Sequence, residues 1–128
     1  MKAKRLFGVF VLFFMLAACG PREVLKIGTP FKDDGQEGVE YEVEVKDAEL
    51  IEELRVLLDG VNVEATSPGE DFTADMTFKV DRPEEHTGVD VTFVWFQEDG
   101  SSVIHHPYGS YYVLDKEKTE RMREITQQ

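Results

Sequence analysis

The sequence predicts an α+β fold: a two-layer sandwich in which a mainly antiparallel sheet of five to six strands carries two helices on one face, in the order β-β-α-β-β-β-α. Three observations predict it. Several short runs alternate apolar and polar residues, as strands with one wet face do. Two other runs repeat their apolar residues at helical spacing. The links between neighbouring strands are short, which favours antiparallel pairing, and two one-sided helices must then cover the same sheet face.

Val24-Leu25-Lys26-Ile27 is a β-prone run closed by Gly28 and Pro30, and Gly28 to Gly38, with Asp33-Asp34-Gly35, reads as a polar connection. Val39 to Val45 then alternates without a break, which places Val39, Tyr41, Val43 and Val45 on one face and three glutamates on the other. Asp47 caps a predicted helix over Ala48–Leu58, with Leu50, Ile51, Leu54, Leu57 and Leu58 inward and Asp59-Gly60 as its close. Val61 to Asp75 is irregular, with a turn at Ser67-Pro68-Gly69-Glu70-Asp71. Met76 to Val80 alternates again, Arg82 to Gly88 is a polar loop, and Val89 to Phe96 is a central strand. A turn at Glu98-Asp99-Gly100-Ser101 returns the chain through Ser102–His106, and a reversal at Tyr108 and Gly109 leads into Tyr111–Leu114. Asp115 caps a last helix, Lys116–Thr126, whose inward residues are Met122 and Ile125.

The beginning of the chain has a different character. Residues 1–5 hold Lys2, Lys4 and Arg5, and the thirteen residues Leu6 to Ala18 carry no charge. A helix crossing the hydrocarbon core needs about 20 apolar residues, so this segment reads as a secretory signal that takes no part in the fold. The run Leu16-Ala17-Ala18-Cys19 that follows resembles the lipobox of bacterial lipoproteins: a leucine, two small residues and a cysteine. The resemblance implies transfer of a diacylglycerol to the Cys19 sulfur and cleavage between Ala18 and Cys19. It implies three segments: a removed signal peptide, residues 1–18; an acylated N-terminus and tether, residues 19–22; and one globular domain, residues 23–128. The membrane is then a partner through the acyl chains on Cys19, and the domain lies outside the cytoplasm, anchored to the bacterial cell membrane.

The domain itself is similar to small lipoproteins of bacilli of the YhfM-like kind. The similarity rests on Phe93-Val94-Trp95-Phe96 with Asp99-Gly100, and on Tyr111-Tyr112-Val113-Leu114-Asp115 leading into a terminal helix. It covers about a third of the domain and implies no activity.

Charge excludes one class of partner. The chain has 14 Lys+Arg against 26 Asp+Glu, a formal net charge of −12, so it lacks the cations with which nucleic-acid binders neutralise phosphates. Removal of residues 1–18 takes away three cations and leaves 11 against 26, a net charge of −15. Anionic headgroups repel such a domain over a Debye length. The single cysteine forbids an internal disulfide.

The richest aromatic region is Tyr108, Tyr111 and Tyr112 with Trp95 and Phe96. Amphipathic aromatics dominate binding hot spots, so Val94, Phe96, Tyr108, Tyr111 and Tyr112 form a candidate binding surface. On this reading Phe93 and Trp95 point to the helices, while Val94 and Phe96 lie on the face that the helices leave open. His86, His105 and His106 are candidate metal ligands, although neighbouring strand residues point to opposite faces and no metal-binding spacing is present. Two acidic groups, Asp33, Asp34 and Glu37, and Glu70, Asp71 and Asp75, lack the spacing of a calcium loop and read as solvated loop acids. No nucleophile motif surrounds Ser67, Ser101, Ser102 or Ser110, and no glycine-rich phosphate loop occurs.

The expectation is therefore a non-enzymatic binding module with no cofactor, on the outer face of a bacterial membrane, whose partner is an envelope protein or cell-wall component. Two alternatives accompany it. One is a metal-handling or ligand-sensing lipoprotein that uses His86, His105 and His106; the other is a cell-envelope hydrolase of unrecognised type.

Overall fold

A computed structural model of the chain describes residues 23–82, 91–106 and 109–127. Its architecture is α+β. One antiparallel sheet is built from β1 (Val24–Asp33), β2 (Gln36–Val45), β3 (Glu64–Ala65), β4 (Met76–Asp81), β5 (Val91–Phe96), β6 (Ser102–His105) and β7 (Tyr111–Leu114). The helices are α1 (Ala48–Asp59) and α2 (Lys116–Thr126), and a 3₁₀ turn spans Asp71–Thr73. The strand order is β2-β1-β4-β5-β6-β7-β3, so α1 carries the chain from one edge of the sheet to the other. The proposed signal, cleavage site and tether, residues 1–22, lie outside the described residues, as do His86 and Tyr108.

Both helices start where the sequence predicts. The Asp47 carboxylate accepts from the Glu49 N–H at 2.9 Å, and Asp115 accepts from the Lys118 N–H at 2.8 Å. Each bond satisfies one of the donors that a helix N-terminus leaves free. At the other end of α1, Gly60 has φ −85°, an ordinary turn and not the left-handed close that a glycine there predicts. Ile51 and Leu54 of α1 and Met122 and Ile125 of α2 pack with Leu25, Ile27, Val45, Phe78, Val94, Ile104 and Leu114 into one core. Beneath α2, the Ser102 and Thr119 hydroxyls lie 2.9 Å apart, and Thr119 also donates to the Leu114 carbonyl at 3.1 Å. Buried hydroxyls paired in this way avoid the cost of an unmet polar group.

Three features depart from the sequence expectation. The first is β3, a seventh strand of two residues pairing with Tyr111 and Tyr112; two residues are too few to show any period. The second is the stretch from Gly28 to Gly38, which is not a loop. There β1 and β2 continue as a two-stranded arm out to the pair Asp33↔Gln36, closed by Asp34 at φ 46° and Gly35 at φ 82°. Positive φ at both central residues suits the right-handed twist of a hairpin. Because β4 pairs with β1 only as far as Gly28↔Thr77, Pro30 falls where β1 has one free edge, and its missing N–H breaks no ladder.

The third is a bulge. Ile27 pairs with Val43 but Gly28 pairs with Tyr41, so Glu42 is the extra residue. It turns Tyr41 to the opposite face from Val43 and Val45, where the Lys79 ammonium lies 4.5 Å from its ring centre. The unbroken alternation of Val39–Val45 therefore does not put all four apolar residues on one face.

Candidate functional site

The sheet face away from the helices is covered by the chain between β3 and β4. The 3₁₀ turn in this connection packs against β1 and β2. Beneath it Ala74, Phe93, Trp95 and Val103 form a second, smaller core, with Ala65, Phe72, Val91 and Tyr111 around it. Phe72 meets Phe93 edge-on, with ring centres 5.6 Å apart at 68°. Phe93 and Trp95 therefore lie under the crossing chain, and Val94 lies under the helices at 0% exposure. This reverses the face assignment made from sequence. The reason is that Thr92–Trp95 is buried without alternation, so both faces of β5 are apolar and its periodicity cannot show which one takes the helices.

The register then assembles a row of side chains on this face. Thr77 pairs with Phe93, Phe93 with His105, His105 with Tyr111, and Tyr111 with Ala65. The His105 and Tyr111 rings stack at 4.0 Å between centres and 6° between planes. The Nδ1 of His105 lies 2.7 Å from Asp71 Oδ1, which ties the first residue of the 3₁₀ turn to the middle of the sheet. Trp95 leans on Tyr111 at 5.9 Å, and its buried Nε1 has no hydrogen-bond partner among the described residues.

Above this row lies an open groove of about 650 Å³ bordered by Glu37, Ser67, Glu70, Asp71, Phe72 and Tyr111. Lys32, on the arm, bridges two of these residues, with its ammonium 2.5 Å from Glu70 and 3.6 Å from Glu37. That contact, led by the hydrogen bond from Lys32, holds the Glu70 carboxyl below the usual carboxylate range. Glu37 thus meets Glu70 and Asp71 from far along the sequence, and the groove sets these carboxylates, already engaged by Lys32 and His105, beside aromatic rings. Such a combination suits ammonium or guanidinium groups.

The other predicted residues fare differently. Phe96 is half-buried on the helix side, with the Arg123 guanidinium 3.9 Å from its ring centre, and it borders a second shallow groove at the β5–β6 turn. Tyr112 packs against the helix core. Val94, Phe96 and Tyr112 therefore do not form a surface with Tyr111. His106 turns to the Thr92 hydroxyl at 3.0 Å, whereas His105 faces Asp71 across the sheet. The two imidazoles cannot both ligate one ion from opposite faces. Among the described residues no group of three His, Cys, Asp or Glu side chains could hold a metal.

The chain matches no family model, no curated protein and no solved structure.

The Asp71–His105 bond has the form of an orienting pair, in which a carboxylate fixes an imidazole. Among the described residues no hydroxyl or thiol bonds to the other ring nitrogen. What the pair does in this structure is hold the crossing chain on the sheet. Sequence reasoning missed Asp71, Glu37, Glu70 and Phe72 as neighbours of Tyr111. Only the pairing of β6 with β7 could have been read, from the short reversal between His106 and Tyr111.

Proposed function

We propose that the chain is a lipid-anchored extracytoplasmic domain that binds a basic segment of an envelope partner in the groove beside Tyr111. The observation that carries the reading is the run Leu16-Ala17-Ala18-Cys19 behind a basic and then an apolar stretch. Acylation needs a thiolate, and this is the chain's one cysteine. Two acyl chains, at about 0.8 kcal/mol per buried methylene, anchor a protein where one alone is marginal. No helix among the described residues is long and apolar enough to cross a membrane.

The groove supports the binding half of the proposal. Its rim carries Glu37, Glu70 and Asp71 beside Phe72 and Tyr111 on a mature chain of net charge −15. A basic peptide is drawn to such a surface at long range and stacks on its rings at short range.

Labelled palmitate fed to cells making the full chain tests the anchor: the wild type is expected to take up the label and Cys19→Ser to take up none. An unlabelled wild type with residues 1–18 still attached would overturn it. A photo-crosslinker at Glu37 in intact cells tests the groove, with exposed Val56 on α1 as the control position. Crosslinks at position 37 that disappear in Tyr111→Ala are expected; equal crosslinks from positions 37 and 56 would remove the groove as the site.

A further inference from the structure

We infer that the anchored domain stands with β1 pointing away from the bilayer, so that the arm and the Glu37–Glu70 end of the groove point outward and meet the partner there. The inference rests on the acylation of Cys19 proposed above and goes beyond it by saying which surface faces the membrane. Its first support is a clasp where the chain enters the fold. The Glu23 carboxylate is held by Arg55 of α1 through both oxygens and by Arg82, just past β4, at 2.9 Å. Glu23 is thereby fixed to two elements at the start of β1.

The second support is length. Only Gly20, Pro21 and Arg22 separate Glu23 from Cys19. At about 3.5 Å per extended residue the tether reaches no more than about 10–15 Å, and Pro21 narrows its directions by fixing its own φ. The ten residues of β1, at about 3.3 Å each, place the tip of the arm about 30 Å from the clasp. A tether of half that length forbids the inverted pose, with the clasp raised above the tip, and leaves lying flat to be opposed by charge.

The third support is charge, which discourages lying flat. The edge strand β2 exposes Glu40, Glu42 and Glu44, and the outer side of α1 exposes Glu49 and Glu52. Either flank brought within about 8–10 Å of anionic headgroups meets unscreened repulsion. The groove's rim residues Glu37 and Glu70 lie with the arm, whose residues extend beyond the last β1–β4 pair, Gly28↔Thr77. These two, joined through Lys32, sit at the end directed outward, and the groove runs from them back to Asp71 and Tyr111 at the middle of the sheet.

Energy transfer from labelled positions to acceptor lipids tests the orientation. The acylated full chain is reconstituted into vesicles containing phosphatidylglycerol with an acceptor fluorophore in the headgroup layer. Since the lipid occupies the only native thiol, Asp33→Cys or Lys46→Cys, both exposed, gives a single labelling site at the tip or beside the clasp. Strong transfer from position 46 and weak transfer from position 33 is expected. Equal transfer from both, or stronger transfer from 33, overturns the orientation while leaving the anchor standing. A chain that does not float with the vesicles removes the anchor and the orientation with it.

Discussion

His105 holds two layers together. Its ring stacks on Tyr111 within the sheet, and its Nδ1 meets Asp71 in the chain that crosses above. Removing one partner of a half-buried hydrogen bond costs about 1–3 kcal/mol. Asp71→Ala is expected to lose that much in urea unfolding, and Asp71→Asn about half as much, since an amide oxygen still accepts. No loss in either variant would mean that the bond itself contributes nothing. Trp95 presents the opposite case. Its Nε1 is buried without a partner among the described residues, at a cost of about 1–3 kcal/mol that offsets part of what its ring gains. Trp95→Phe should therefore stay within about 1 kcal/mol of the wild type, whereas Trp95→Ala should lose about 3–5 kcal/mol. A Phe variant as unstable as the Ala variant would contradict this account.

Among the elements, the β1–β2 arm depends on the close approach at Gly28. A Cβ there would lie 2.5 Å from the Glu40 carbonyl oxygen and 2.9 Å from a Val39 methyl. Gly28→Ala is expected to cost about 1–3 kcal/mol, as overpacking does, and to speed hydrogen exchange along Thr29–Asp33 ahead of β4–β6. The base of β1 gives a pH dependence. The hydrogen bond from Arg55 leads the interactions that hold the Glu23 carboxyl below its ordinary value of 4.5, despite partial burial, with Arg82 adding to them. A depressed carboxylate stabilises the fold above its unfolded value and loses that contribution as pH falls through the folded one. The urea midpoint should change little from neutrality to about pH 5.5 and fall below about pH 4.5, less steeply in Glu23→Gln. An unaltered acid slope in that variant would show that the clasp does not couple to folding.

The same elements show what could be read from sequence. Both helices were legible because capping aspartates and a 3.6-residue period agree. The arm was not, because Gly28 and Pro30 break strands except at a bulge and on a free edge, and both exceptions occur here.

In the molecule as a whole, the sheet is enclosed between a helical layer and one crossing stretch of chain. The aromatic content of the site was visible in the sequence, since Tyr111 belongs to its richest aromatic region. Its setting was not, because Asp71 lies 34 residues from His105 and Lys32 lies 38 from Glu70. Contacts that long follow from topology, and the topology turned on which side of β5 met the helices.

The exposed glutamates of β2 have one more consequence. A strand at the end of a sheet offers unpaired backbone groups to any neighbour, and charge along it is a common protection. In the anchored state proposed above, copies held in a lipid plane would collide sideways far more often than copies free in solution, and Glu40, Glu42 and Glu44, which the bulge distributes over both faces of the edge, would then act as a fender against strand-to-strand fusion. Replacing all three with threonine should leave the monomer folded yet drive reversible dimers in sedimentation; a variant that stayed monomeric would show that the arm's twist alone keeps neighbours apart.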